Sequence, residues 1–196
     1  MTVFVHPAGL CESDNVGPGT RVWAFAHVLP GAVIGADCNI CDGAFVETGA
    51  TLGDRVTVKN GTLVFAGVTC EDEVFLGPNV LFTNDLRPRS TVRSELLTTV
   101  VRRGASLGAG VVVVCGHVVG EYAFAAAGSV ITRDVPPHAF VAGNPARQKG
   151  WVCTCGNRLS ANLFCAACGL RFEPAPNGGL TQIKEHHHDD NTILAI

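Results

Sequence analysis

A six-residue repeat runs from the first residues of this chain and leaves it few folds. Every sixth residue from Phe4 to Phe82 is aliphatic, aromatic or cysteine: Phe4, Leu10, Val16, Val22, Val28, Ile34, Ile40, Val46, Leu52, Val58, Val64, Cys70, Leu76 and Phe82. In a chain that is 47% apolar, a run of that length arises by chance about once in 10⁴ to 10⁵ trials. The positions two residues earlier, from Thr20, Ala26, Ala32 and Cys38 to Val68, Val74 and Val80, are all small or β-branched. One large inward aliphatic and one small corner residue per hexad suit a triangular coil, with three short strands to a turn. Gly17, Gly35 and Gly53 each follow an aliphatic position, one turn apart, which predicts close approach of neighbouring backbones. No period of 3.6 occurs in this region, so amphipathic helix is excluded there.

The register breaks after Phe82 and is next read at Leu107, Val113, Val119, Ala125 and Ile131. The segment of about 83–104 is therefore expected to leave the coil as a loop. It holds Arg87, Arg89, Arg93, Arg102 and Arg103 against Asp85 and Glu95. A basic loop on a weakly charged prism is where an anionic ligand is expected; a solvated surface loop is the plain alternative.

Composition changes at Gly150. Cys153-Thr-Cys155-Gly and Cys165-Ala-Ala-Cys168-Gly form two knuckles whose four thiolates suit a structural tetrahedral Zn²⁺, although the first is one residue short of the usual spacing. A Cys₄ site leaves no open position for a catalytic water. The expected organisation is a coil over 1–150, a zinc-ribbon-like module over 151–173 and a flexible tail over 174–196 containing Glu185-His-His-His-Asp-Asp190.

The net charge of -3 gives no sign of nucleic-acid or membrane binding. The first residues lack a signal-peptide pattern and no apolar run is long enough to span a bilayer. A cytoplasmic protein whose nine cysteines are thiols or metal ligands is the expectation. Charged residues at only 16% fit a surface partly buried in an oligomer.

Several stretches go beyond the repeat: Thr20-Arg-Val-Trp-Ala-Phe-Ala-His27, Val74-Phe-Leu-Gly-Pro78, Phe82-Thr-Asn-Asp85, Pro88-Arg89, Arg103-Gly-Ala-Ser-Leu-Gly108, Val113-Val-Cys-Gly116, Thr132-Arg-Asp-Val-Pro136 and Gly143-Asn-Pro-Ala-Arg147. On these, residues 1 to about 150 resemble the hexapeptide-repeat acyltransferases, and more narrowly those that N-acetylate 3-amino sugars carried on UDP or dTDP. The resemblance implies an all-β, left-handed parallel β-helix, a homotrimer with active sites between subunits, and direct transfer from acetyl-CoA to the sugar amine for surface polysaccharide synthesis. It implies that Asn84 touches the reacting sugar, that Arg89, with Arg87 and His27, binds the nucleotide sugar, and that Arg147 and Lys149 bind CoA. The cysteine-rich tail leans toward the enzymes of UDP-2-acetamido-3-amino-2,3-dideoxyglucuronate; a dTDP-3-amino-3,6-dideoxyhexose is the alternative. Asn84 orients rather than takes a proton, because an amide does not titrate; an Asx-turn opening the loop is its structural alternative.

Two positions depart from the family pattern. His117 occupies a small-residue slot, where it is either a candidate general base or a satisfied core histidine. Ala66 stands where relatives often carry an acid. Cys115 reads as a core thiol rather than a nucleophile. A γ-type carbonic anhydrase would need three converging coil histidines, and only His6, His27 and His117 lie in or near the coils. A non-catalytic β-helical scaffold would not need the arginine loop.

Overall fold

A computed structural model of the chain describes residues 2–183. The coil strands are mostly two residues long, the first half-exposed and the second buried, as in Thr51–Leu52 and Thr57–Val58. They stack in parallel into three sheets of eight, seven and five strands, the first extended to nine by an antiparallel closing strand, one for each face of a left-handed triangular prism. The partner of each residue is displaced by about one turn, as in Thr57↔Phe75 and Phe75↔Ser106. Among the described residues there is no helix, and none is long and apolar enough to cross a membrane.

The inward column from Val22 to Phe82 is buried as the hexads require, and so is its continuation from Leu107 to Ile131. The first turn differs from the reading of the sequence. Phe4 pairs with Arg21 and Leu10 with His27, which makes Val5 and Cys11 the column members. Phe4 and Leu10 face out, 44% and 49% exposed. The chain between Cys11 and Val16 is one residue short of a hexad, so a strict count of six slips by one there.

The corners carry a second period that the apolar pattern hides. Every sixth residue from Gly19 to Asn79 has a positive φ, including Phe25, Asp37, Arg55 and Glu73. The left-handed turn is thus imposed on non-glycine residues, at a cost of about 1–2 kcal/mol each, because the sheets on either side fix it.

The loop is shorter than expected. Thr99–Val101 already rejoins the third face, with Cys70↔Val101 in register and Thr99 and Val101 filling the small and aliphatic slots. Only residues 83–98 leave the coil. Arg102 and Arg103 sit at a coil corner, where Arg102 pairs with Glu71 and Arg103 with Glu73 at 2.9 Å. Two of the five loop arginines are therefore neutralised in place.

After the last coil, Arg147–Trp151 turns back antiparallel on Ala139–Ala142 and closes the end of the first face. Cys153, Cys165, Phe172 and Leu180 form a small separate core, and Trp151 packs against both this and the prism core. Phe172–Pro174 pairs with Leu180–Gln182, so the segment expected to begin a flexible tail at 174 is a hairpin through Gln182. Its Leu180 N–H donates to the Pro137 carbonyl at 3.3 Å. The histidine-rich stretch 185–190 lies outside the described residues.

His138 sits under this hairpin, stacked on Tyr122 at 5.4 Å and tilted against Phe172 at 4.9 Å. Its Nδ1–H donates to the Val152 carbonyl at 3.0 Å. Burial lowers its pKa from the usual 6.5, so the neutral ring is the folded form. The unfolded chain then binds the extra proton first, and stability is level above about pH 6.5 and falls as the pH drops below it. The His138→Asn variant, which keeps a donor and tolerates the residue's φ of 61°, is expected to flatten the acid limb of a Tm-against-pH curve. An unchanged limb would remove His138 as its source.

Candidate active site

The loop leaves the coil at the corner after Leu81–Phe82, and Asn84 stands at its base. The Asn84 carbonyl accepts from the Leu97 N–H at 2.8 Å, and Gly116 N–H donates to the Thr98 carbonyl at 3.1 Å. Thr83 Oγ1 accepts from the Cys115 N–H at 3.0 Å. The structure thus joins the loop base to Cys115–His117, the same corner one rung on, and brings Asn84 and His117 into one neighbourhood.

His117 is half-buried. Its Nδ1 lies 3.4 Å from Asp134 Oδ1, and that oxygen also accepts from the Val118 N–H at 2.9 Å. The imidazole is therefore held by a carboxylate that is itself pinned to the coil. Asp134 was missed from sequence because the pairing spans 17 residues and one full rung.

Within the loop, Asp85 acts as an internal clamp. One oxygen accepts from Arg87 N–H at 2.8 Å and the other from the Ser94 hydroxyl. These bonds, Ser94 first, hold its carboxyl below the usual range. The Asx-turn expected as the alternative role of Asn84 is made by its neighbour. Arg87, Arg89 and Arg93 are exposed beside Leu86, Val92 and Leu96, a positive and partly apolar arm suited to an anionic ring-bearing ligand.

His27 does not join this group within one protomer. It lies on the same face as Leu81 but three rungs away, through Phe45 and Leu63, roughly 14 Å at the usual strand spacing. Its Nε2 meets Glu12 at 2.7 Å, and its ring contacts Phe45 edge-on.

Arg147 lines a cavity of about 230 Å³ at the far end of the prism, with Thr132, Arg133, Asp134 and Gln148. Lys149 is not in that lining; it is exposed, and its carbonyl accepts from Arg158 at 2.8 Å. Arg133 is the residue the sequence reading overlooked, although it lies inside the quoted stretch Thr132–Pro136. Asp134 also borders an adjoining cavity of about 420 Å³, so the His117–Asp134 pair and the two arginines share one end of the molecule.

The four sulfurs of Cys153, Cys155, Cys165 and Cys168 lie within 4.8 Å of one another. Cys153–Cys168 is 3.4 Å and Cys155–Cys165 is 3.6 Å. Disulfides require about 2.05 Å, whereas the edge of a tetrahedron of thiolates about 2.3 Å from zinc is roughly 3.8 Å. The donor set fits Zn²⁺, the short first knuckle included. Hydrogen bonds from Asn157 bring the Cys155 thiol down to about 6, whereas burial pushes Cys153 up and Cys168 is raised to about 12, so the geometry of the four sulfurs carries the fit. Among the described residues this is the one cluster of metal-ligating side chains.

Comparison with known proteins agrees with this architecture. Residues 15–48 match the family model described as bacterial transferase hexapeptide (six repeats). The chain is 51% identical to dTDP-3-amino-3,6-dideoxy-alpha-D-galactopyranose 3-N-acetyltransferase of Aneurinibacillus thermoaerophilus, over 89% of this chain and 92% of the relative. It is 35% identical to the bifunctional protein GlmU of Mycobacterium avium (strain 104) over 71% of its length, but spans only 27% of that protein. A putative acetyltransferase from Bacillus cereus superposes with a TM-score of 0.53 at 18% identity, covering 82% of this chain and 86% of the other, which shares the fold. Coil, extruded loop and a near full-length relative at this identity place the chain in the hexapeptide-repeat family of nucleotide-sugar N-acetyltransferases.

Proposed function

We propose that the chain acetylates the 3-amino group of a dTDP-linked 3-amino-3,6-dideoxyhexose, with acetyl-CoA as donor. One observation carries this choice of sugar: the 51% identity, across nearly the whole of both chains, to a protein named for that reaction. The UDP-linked 3-amino uronic acid suggested by the cysteine-rich tail is the competing acceptor. The enzyme works as a homotrimer, and His27 of one protomer reaches the site through a neighbour, since it stands three rungs from Leu81 in its own chain.

The neutral amine attacks the thioester carbonyl carbon. The tetrahedral intermediate collapses with cleavage of the C–S bond, and the amine proton leaves. Asn84 orients the amine. Arg87 and Arg89 meet the diphosphate as charge-assisted donors, and Arg147, with Lys149 nearby, meets phosphates of CoA. The departing sulfur takes the proton; His117, braced by Asp134, is the rival acceptor. A zinc ion in the Cys₄ module would be held by Cys153, Cys155, Cys165 and Cys168 and would take no part in the chemical step.

Mass spectrometry of products from a panel of dTDP- and UDP-linked 3-amino sugars tests the assignment. A gain of one acetyl group on the dTDP-dideoxyhexose, with slower turnover of the UDP-uronate, is expected. The reverse order would restore the UDP reading. No stabilisation by CoA in a thermal-shift titration would instead favour the scaffold.

A further inference from the structure

The Cys₄ module shares a strand with the Arg147 cavity, and this continuity has a functional consequence. Arg147–Trp151 is the outermost strand of the nine-stranded sheet. Its first residues, Arg147 and Gln148, form one wall of the 230 Å³ cavity, and Cys153 follows its last residue by two. On its inner side the strand pairs with Ala139–Ala142, with a bulge between Phe140 and Val141. On its outer side every partner belongs to the module. Leu159 N–H donates to the Trp151 carbonyl at 2.9 Å, and Arg158 donates to the Lys149 carbonyl at 2.8 Å while its guanidinium lies 4.0 Å over the Phe140 ring.

We propose that the module is a metal-locked clasp, and that binding of a metal there holds Arg147 and Gln148 in place at the ligand cavity. This rests on the reading of that cavity as the CoA end of the site. The module core holds two of its own cysteines and little else that is large and fully buried: Phe172 and Leu180, with Leu159, Leu163 and Leu170 only partly covered. A segment of roughly thirty residues with so small a core does not stay folded by burial alone, and in such units metal binding supplies the folding free energy. Losing the metal removes Leu159 and Arg158 from the strand. The bulged pairing with Ala139–Ala142 and the anchorage of Trp151 and Val152 on the prism then remain, and the cavity end of the strand, Arg147 and Gln148, loses its outer brace and frays. The metal thereby acts on affinity for a phosphate-bearing ligand without touching it.

The test uses the full chain as isolated, its zinc content measured first. It is compared with the same protein depleted by a chelator under reducing conditions, and with Cys168→Ser, which removes an exposed sulfur. Hydrogen exchange of the amides of 147–152 and the Kd for CoA by calorimetry are read on all three. Depletion is expected to speed exchange at 147–152 at least tenfold and to weaken CoA binding at least tenfold. Amides of the coil around 46–58 should be unchanged, and added Zn²⁺ should reverse both effects. Exchange at 147–152 that ignores the metal, or a chain that binds no zinc, overturns the clasp. The exchange readout needs no CoA. A zinc-loaded protein that shows the exchange effect but binds no CoA would leave the clasp standing and count against the acetyl-transfer reading of the cavity.

Discussion

Replacing Asn84 by alanine is expected to lower kcat/KM for the amino sugar at least tenfold, about 1.4 kcal/mol of transition-state stabilisation, with the oligomer intact. The backbone of Asn84 already closes the loop through its carbonyl and Leu97, and alanine keeps that bond. The Asx-turn belongs to Asp85, whose carboxylate holds Arg87 and Ser94. The variant therefore removes the amide side chain while leaving the loop its internal bonds, and a change in rate reads orientation rather than folding. Positioning effects of this kind reach about a hundredfold for a displacement of about 1 Å. Wild-type turnover would remove Asn84 from the mechanism. His117→Ala in the same assay separates the two proton acceptors: if sulfur takes the proton, kcat is kept, and if the imidazole does, most of kcat is lost. Asp134→Asn should then share the defect, because Asp134 braces the ring.

How much of this was legible in the sequence follows from where the period is strict. From Val22 to Phe82 each hexad has the same job, so the spacing alone gives the strands, the inward column and the glycine contacts. The count failed where one residue is missing, between Cys11 and Val16, and where residues are inserted. Three β-branched or apolar residues in a row, Thr99-Val100-Val101, hide which of them turns inward, and only pairing with Val68–Cys70 decides it. That slip carried Arg102 and Arg103 into the loop, away from the Glu71 and Glu73 partners a turn behind them. The site was legible to the extent that it is local. Asn84, Arg87 and Arg89 announce themselves by the motif around the loop, whereas the His117–Asp134 pair and the meeting of Arg133 with Arg147 exist only once the coil stacks. The module was visible in its four cysteines, but its hairpin through Gln182 was not, because the Pro-, Asn- and Gly-rich turn between the strands reads as a loose tail.

The stacking itself is open to a sharp test at Gly35. An alanine Cβ there would lie 2.6 Å from the carbonyl carbon and oxygen of Gly53 on the next rung, and 2.4 Å from Asp54 Oδ1. The backbone of Gly53 is fixed by its own N–H, which donates to Cys70 at 2.8 Å, so it cannot retreat. The Asp54 carboxylate accepts from Ala36 N–H at 2.8 Å across the same gap, and displacing it strands that donor. Overpacking of this kind costs about 1–3 kcal/mol, and an unsatisfied N–H about 1–3 kcal/mol more. Because each rung of a solenoid is held by its neighbours alone, a local opening is not compensated elsewhere. At about 2–4 °C per kcal/mol for a chain of this size, Gly35→Ala should lower Tm by roughly 4–24 °C. The matched control is Gly110→Ala, at a φ of +66° with nothing within 4 Å of the added carbon. It carries only the left-handed penalty of about 1–2 kcal/mol and should lose a few degrees. Equal losses in the two variants would mean that the approach of one rung to the next does not set the cost at Gly35.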